Sequence, residues 1–352
     1  MGVTAAGPGP ALPAPRGPLS EALAAALAAG PPPGPAPLPA VPVGDPWGED
    51  CQLALYTCYE LHYRGFAGVD ASWEWDPGLL AFRRRLEEAF LAAVRTAVAP
   101  VPPLERQLRE LLVEPADGGG PSHHLLRGGE RWQAREYLVH RSLYHLKEGD
   151  PQAWAIPRLH GAAQAVLVGV EYDEYGGGRP ERVHARLFAA MMEDLGLDPS
   201  YGRYLDLAPA PTLAVVNLMS LFALHRAHRG ALVGQFAHAE ITSSPGSARL
   251  AAALERLGAG PAGTGFYREH VEADAVHEQL VRHGVVEALL ADEPGLEDDV
   301  ALGLAAADLV DGRLARHLLD CWEQGRTSLR APLDTVPALG PGVPARHPSV
   351  PA

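Results

Sequence analysis

The chain has 352 residues, 47% of them hydrophobic, which is enough to bury one large core or two smaller ones. Its net charge of −14 disfavours a phosphate-backbone partner, so we expect no nucleic acid among its partners. The sequence contains no run of 18 apolar residues and no signal-peptide pattern, which predicts a cytoplasmic protein without a membrane partner. Three cysteines without a C-x-x-C motif predict neither a zinc ribbon nor a thioredoxin-like redox site.

The first part of the chain divides into two regions by composition. Residues 1–44 are rich in Pro, Ala and Gly and predict a disordered arm with one helical island over residues 20–29. Residues 45–128 predict an N-terminal helical extension, because Asp45-Pro46 and Asp76-Pro77 each favour a helix start, followed by a Pro- and Gly-rich connection. A domain boundary is expected at the end of that connection.

From residue 129 onward the hydrophobic pattern is helical, and no period-2 alternation lasts more than a few residues. Candidate helices lie near residues 130–147, 152–158, 161–175, 180–195, 213–227, 231–241, 247–257, 266–290 and 296–322. The pattern predicts an all-α bundle over residues 129–325. Residues 326–352 return to Pro and Gly and predict a disordered tail.

One predicted helix carries a chemical signal on its inward face. His270, Asp274 and His277 occupy positions i, i+4 and i+7, and they share one face with several apolar residues. Buried imidazoles and carboxylates need partners. The triplet alone is compatible with metal binding and equally with hydrogen-bonded core histidines.

Further acids occur where an inward helix should be apolar. Glu240 lies within an apolar helix, and Glu148 ends the first helix of the bundle. Glu174 ends another apolar helix, and the Gly-rich break after it predicts that His184 returns close to it, although a solvated acidic loop would explain this segment as well. Taken together with the triplet, four carboxylates and three imidazoles without thiolates favour iron or manganese. A pair of divalent ions would neutralise carboxylates that otherwise cost several kcal/mol each to bury.

Around these acids and histidines the sequence resembles the haem-oxygenase-like di-iron oxidases and oxygenases, also described as iron-containing redox enzymes. The segments that carry the resemblance are residues 144–148 (YHLKE), 155–158 (AIPR), 173–178 (DEYGGG) with His184, 240–243 (EITS) and 269–278 (EHVEADAVHE). The resemblance covers about residues 130–323 and implies a haem-oxygenase-like helical bundle.

The resemblance also implies a cofactor and a chemistry. It implies two Fe(II) ions per chain, one carboxylate bridging them, with the ligands Glu148, Glu174, His184, Glu240, His270, Asp274 and His277. Such a site would activate O₂ and oxidise a small-molecule substrate, by N-oxygenation or by C–H oxidation, desaturation or cleavage. The resemblance allows an external reductant and a homodimer.

Two alternatives within the same fold remain open at this point. One is a non-catalytic iron-binding or storage protein, which would use the same ligands. The other is a metal-free haem-oxygenase-like or thiaminase-like relative, for which Cys321 is the sole candidate nucleophile.

Two details of the site depend on the three-dimensional path of the chain. A straight helix over residues 152–174 would separate Glu148 from Glu174 by roughly 35 Å, so we expect a fold-back near residues 159–161. Arg226 and Arg229 could bind a substrate carboxylate, or they could only complement the dipole at a helix C-terminus.

Overall fold

A computed structural model of the chain describes residues 9–114 and 118–335. These residues form α-helices joined by short 3₁₀ turns and include no β-strand, which confirms the all-α fold class. The helices are α1 (Pro18–Ala29), α2 (Glu49–Glu60), α3 (Pro77–Ala97), α4 (Leu104–Leu111), α5 (Pro121–Arg127), α6 (Arg131–His145), α7 (Asp150–Ala153), α8 (Gly161–Glu174), α9 (His184–Asp194), α10 (Ala210–Leu224), α11 (Arg229–Arg256), α12 (Pro261–Gln279), α13 (Ala288–Asp292) and α14 (Glu297–Glu323). A π-helical segment, Leu280–Glu287, joins α12 to α13.

Helix α10 forms the centre of the bundle. Nearly all of its residues are buried, among them Leu213, Leu218 and Phe222, because its sequence is apolar on every face. It packs against α2, α11 and α14, and α11 in turn packs against α12 and α14. Among the described helices, none has the length and apolar content needed to span a bilayer.

Helix α11 differs from the sequence prediction of two separate helices. It runs without interruption from Arg229 to Arg256 with Pro245 inside it. A proline inside a helix costs about 3 kcal/mol because it removes a hydrogen bond and crowds the preceding turn. Buried residues occur in both halves of α11, so packing against α12 and α14 outweighs this cost. The result is a single rigid helix beside α12.

The predicted disordered arm is wrong for residues 9–44. Leu19, Leu23 and Leu27 follow one another at i, i+4 and i+8, and all three are buried in the hydrophobic core. The Arg16 guanidinium donates hydrogen bonds to Glu49, at 2.7 Å, and to the carbonyl oxygens of Leu205 and Ala208, which both precede α10. Residues 1–8 lie outside the described residues.

The start of α1 is held by a carboxylate from α2. Asp50 accepts hydrogen bonds of 2.8 Å from the backbone N–H groups of Leu19 and Ser20. These are N–H groups of the first turn, which have no partner within the helix itself. The helix therefore begins earlier than the predicted residue 20, at Pro18.

The predicted disordered tail is also wrong for residues 326–335. Ser328 and Leu329 are buried, and Ser328 donates from both its backbone N–H and its hydroxyl to Glu136 of α6. Residues 336–352 lie outside the described residues. One hydrophobic core includes residues of the 45–128 extension and of the 129–325 bundle, and the boundary between those two regions stays a prediction.

We expect Leu23→Ala to lower the free energy of unfolding by about 2–5 kcal/mol, because it removes a fully buried side chain from a packed interface. Glu21→Ala in the same helix is the matched control, since Glu21 is exposed and should change stability by less than about 0.5 kcal/mol. Urea denaturation of both variants gives the comparison. Equal stabilities of the two variants would show that α1 does not contribute to the fold.

Candidate metal centre

The structure brings all seven predicted ligand residues together at one buried site. Five helices or their ends supply them, and each residue has at most 8% of its surface exposed. The residues are Glu148 three positions after α6, Glu174 at the end of α8, His184 at the start of α9, Glu240 in α11, and His270, Asp274 and His277 in α12. Their role as iron ligands stays a prediction.

Six of the seven residues form two groups that share one carboxylate. Each residue of a group offers one ligand atom, and all the ligand atoms of that group lie within 4.8 Å of one another. The first group is Glu148, Glu174, His184 and His270, and the second is Glu174, Glu240 and His277. Asp274 lies beside the second group, with its Oδ1 3.9 Å from His277 Nδ1. A carboxylate common to both groups is the arrangement expected of a bridging ligand.

Two glycines allow the close approach of the ligand segments. Gly149 has a φ of 87°, and a side chain there would come within 3.2 Å of Glu171 Oε2. Gly176 has a φ of 78°, and a side chain there would lie only 2.6 Å from the backbone nitrogen of Val183. Only glycine suits such positions. The first turn brings Glu148 against α8, and the second returns His184 to Glu174.

The fold-back predicted between Glu148 and Glu174 is present. After α7 the chain makes a 3₁₀ turn, Ile156–Arg158, and α8 begins at Gly161. Helix α8 then runs back toward α7, against which its residues pack. Glu148 therefore lies in the same group as Glu174 rather than at the far end of a long helix.

Several buried atoms of the site have no hydrogen-bond partner among the described residues. His184 Nδ1 lies 2.8 Å from Glu174 Oε2, and His277 Nδ1 lies 3.2 Å from Glu240 Oε2, yet none of these four atoms has hydrogen-bonding alignment. Unpaired buried polar atoms are costly and rare in native proteins. Divalent ions coordinated by these atoms would satisfy them, and their imidazole and carboxylate chemistry suits iron.

Two of the imidazoles are oriented by hydrogen bonds on the side away from the groups. His270 Nδ1 lies 2.8 Å from the Phe266 carbonyl oxygen, to which it donates. His277 Nε2 lies 3.3 Å from Asp173 Oδ2. Such outer contacts fix the tautomer and ring orientation of a metal-binding histidine. They leave His270 Nε2 and His277 Nδ1 directed at the site.

Without metal, protons supply part of the missing positive charge. Burial on its own would lower the pKa of both imidazoles, but Glu148 raises the pKa of His270 to about 10, and Glu240 raises that of His277 to about 9. Burial raises the pKa of Glu240 to about 7 despite the neighbouring His277. At neutral pH both imidazoles therefore hold protons that a metal ion must displace.

Glu171 is a buried carboxyl at the site that the sequence did not single out. Only 2% of it is exposed, and neither of its carboxyl oxygens has a hydrogen-bond partner among the described residues. Burial and the nearby Glu174 raise the pKa of Glu171 to about 9, so it is protonated at neutral pH. Glu171 lies one turn before Glu174 on the same face of α8, and this spacing is the sequence signal that could have identified it as a residue of the site.

A cavity of about 210 Å³ lies next to the two groups. Glu148, Glu174, Glu240, His270 and Asp274 form part of its wall. The remaining wall combines aromatic side chains and apolar residues such as Met219 and Leu250 with hydroxyl and amide side chains and one arginine. A small molecule in this cavity would lie directly against the ligand side chains.

Other residues considered from the sequence lie away from this cavity. Arg229 pairs with Glu293, and neither Arg229 nor Arg226 belongs to the cavity wall. His238 faces Asp308 and Asp311 instead of the ligand groups, as expected for a core histidine. Cys321 near the end of α14 is buried outside the cavity wall, which removes the only predicted thiol nucleophile from the site.

In the metal-free protein, Glu171→Gln should reduce the loss of stability between pH 5 and pH 8. The raised pKa means that the folded state keeps the Glu171 proton while the unfolded state releases it above its ordinary pKa, so stability falls as pH rises toward 9. The glutamine cannot ionise. Between pH 5 and pH 8 we therefore expect the free energy of unfolding to fall by at least about 1 kcal/mol less in the variant than in the parent protein.

Chemical denaturation at several pH values measures this difference. Glu181→Gln is the control, because Glu181 is exposed and lies on the segment that follows α8. The same pH dependence in the parent and in Glu171→Gln would show that Glu171 is ionised in the folded state.

Comparison with known proteins identifies the family of the chain. Residues 135–312, just over half of the chain, match the iron-containing redox enzyme family. A nitrosourea synthase from Streptomyces achromogenes subsp. streptozoticus is 24% identical over 172 residues, which are 49% of this chain and 36% of that protein. The chain thus matches only about a third of the length of that relative. The matched region contains all six residues of the two groups and also Asp274, and the chain belongs to the iron-containing redox enzyme family.

Proposed function

We propose that the protein is an O₂-dependent, non-haem di-iron oxidase or oxygenase that oxidises a small-molecule substrate. The observation that carries this proposal is the pair of buried ligand groups sharing Glu174, several of whose polar atoms lack hydrogen-bond partners among the described residues. Two Fe(II) ions per chain would match the two groups. Carboxylate-rich sites of this kind in helical bundles bind pairs of iron or manganese ions.

Each group would hold one ion. The first ion would be held by Glu148, His184 and His270, the second by Glu240, Asp274 and His277, with Glu174 between them. Ferrous ions bound there would supply the electrons for O₂ reduction. O₂ and the substrate are the proposed partners, and an external reductant would restore the ferrous state.

The chain itself contributes orientation, a dry site and a proton. The hydrogen bonds from His270 to Phe266 and from His277 to Asp173 hold the rings in place. Burial of the ligands keeps bulk water away from the reacting groups. Glu171 holds a proton on its carboxyl group at neutral pH next to Glu174, where a proton donor would serve O₂ reduction.

The relative's name favours chemistry at nitrogen. A nitrosourea contains oxidised nitrogen, so that protein is named for a product of nitrogen oxidation. We therefore place N-oxygenation ahead of C–H oxidation for this chain. An iron-storage protein would use the same ligands, but storage gives no reason for a cavity with additional polar side chains beside them.

Anaerobic loading should give about two Fe(II) per chain, and His277→Ala or Glu240→Ala should lower this to about one. Both substitutions remove a ligand of the second group only. His238→Ala is the matched control, because His238 is a buried histidine of α11 outside both groups. Iron content is measured after removal of free metal. Unchanged iron in both ligand variants would refute the site.

Repeated turnover separates an enzyme from a storage protein. The loaded protein, supplied with primary amines, a chemical reductant and O₂, should form an oxidised nitrogen product many times per chain. O₂ consumption without any such product would favour storage.

Fe(II) binding should release protons, roughly two per chain at neutral pH, since His270 and His277 must lose theirs to coordinate a metal. Apparent affinity should consequently rise as pH rises from 6 to 8. Calorimetry in buffers of different ionisation enthalpy counts the protons, and His277→Ala should release about one fewer. Binding without proton release would mean that the imidazoles are neutral in the metal-free protein.

A further inference from the structure

The ligand residue Glu148 lies on a short connection between two helices and not on a helix. The connection is residues 146–149, between α6 and α7. His145 Nε2 and His270 Nε2 lie 3.4 and 3.7 Å from the two carboxylate oxygens of Glu148, and its Oε2 has no hydrogen-bond partner among the described residues. Side chains on connections are held less precisely than those on helices. The position of this carboxylate therefore depends on the contacts that hold the connection.

Lys147 ties the connection to helix α2. Its Nζ donates a 2.8 Å hydrogen bond to Glu60 Oε2, and the two side chains are 1% and 0% exposed. The same Nζ lies 4.0 Å from the centroid of the Tyr63 ring, a favourable cation–π distance. Tyr201 donates its hydroxyl to the other oxygen of Glu60, at 2.7 Å. A buried ion pair thus fixes the residue immediately before Glu148.

Hydrogen bonds hold the chain on both sides of Glu148. Arg64, just after α2, donates from Nη2 to the carbonyl oxygen of Leu146 at 2.8 Å. Tyr175, just after α8, donates its hydroxyl to Asp150 Oδ1 at 2.9 Å. Together with the ion pair, these contacts anchor the chain before and after the ligand.

The stability of the fold does not by itself explain a buried ion pair. Removing two charges from water costs about as much as their attraction returns, and apolar residues of similar volume often serve a fold as well or better. A buried pair does specify position, since both charges are satisfied in one geometry only. The pair of Lys147 and Glu60 is therefore best explained by the placement of its neighbour Glu148.

From these contacts we infer that Lys147 and Glu60 are positioning residues of the metal site. They fix the Glu148 carboxylate in the first ligand group and so set how tightly that group holds its ion. The inference rests on the proposed function, because it concerns the first of the two proposed iron ions. Helix α2 lies outside residues 135–312, so a segment beyond the family match contributes to the site.

A double substitution tests the ion pair. Lys147→Met with Glu60→Gln removes both charges together, nearly keeps the volume, and leaves an acceptor for Tyr201. Anaerobic Fe(II) titration of the full chain against a chromophoric chelator measures the affinity of both ions. We expect the first ion to bind about tenfold or more weakly and the second to bind as in the parent, as when residues that orient a ligand are lost. Two unchanged affinities would overturn the inference.

Ligand variants show which ion is affected. His277→Ala leaves only the first group complete, and there the double substitution should weaken the remaining ion about tenfold or more. His184→Ala leaves only the second group complete, and there the double substitution should have no effect. A general loss of stability would weaken both ions. Equal weakening in the two backgrounds would therefore contradict a positioning role.

A second buried ion pair provides the matched control. Arg83 Nε lies 3.1 Å from Glu87 Oε1 within α3, and both side chains are buried. Arg83→Met with Glu87→Gln makes the same chemical change away from the connection, so the affinity for the first ion should stay at the parent value. The same loss of affinity as in the double variant of Lys147 and Glu60 would overturn the inference.

Arg64→Met tests the connection without disturbing a buried charge. The Arg64 side chain is 45% exposed, so the variant should fold, but it loses the hydrogen bond to Leu146. We expect the first ion to bind several-fold more weakly. Arg84→Met, at an exposed arginine of α3, is its control and should have no effect. Equal iron affinities of these two variants would contradict the role of the connection.

The parent protein separates this inference from the proposed function. Two Fe(II) ions in the parent, with the same two affinities in the Lys147 and Glu60 double variant, would contradict the positioning role alone. A parent protein that binds no Fe(II) would contradict the di-iron proposal and the positioning role with it.

Discussion

Repulsion among carboxylates buried together is the constraint on which this structure depends. Glu148, Glu174, Glu240 and Asp274 lie in the interior of the bundle, where solvent screens their charges weakly. Imidazoles facing them offset the repulsion, and the raised pKa values of His270 and His277 express the same interaction from the other side. Either protons or divalent ions can supply the positive charge. The fold is therefore compatible with two charge states of one site, which is what reversible metal loading needs.

The surrounding architecture makes it feasible to bury so much charge. Helix α10 is apolar on all sides and joins α2, α11 and α14 into one core, so the site helices have a rigid support. Helix α11 keeps its continuity through Pro245, and Glu240 is thereby held beside α12. The turns at Gly149 and Gly176 bring the ends of α6, α8 and α9 to the same place. Charge is concentrated at one point, and apolar packing around it stabilises the bundle.

Local patterns predicted the parts of the site that lie on one helix or on two helices joined by a short turn. The His270, Asp274 and His277 triplet needed only helical periodicity, and the return of His184 to Glu174 needed only a Gly-rich turn. The proximity of Glu148 to Glu174 depends on the path of α7 and α8. The sequence predicted that the chain must turn between these two residues, but it did not predict the path of that turn. Glu171 was missed because a buried acid in an acidic run is indistinguishable by sequence from an exposed one. The packing of α1 was missed because Ala and Pro dominate its region, and because Arg16 finds its acceptors about 190 residues later in the chain.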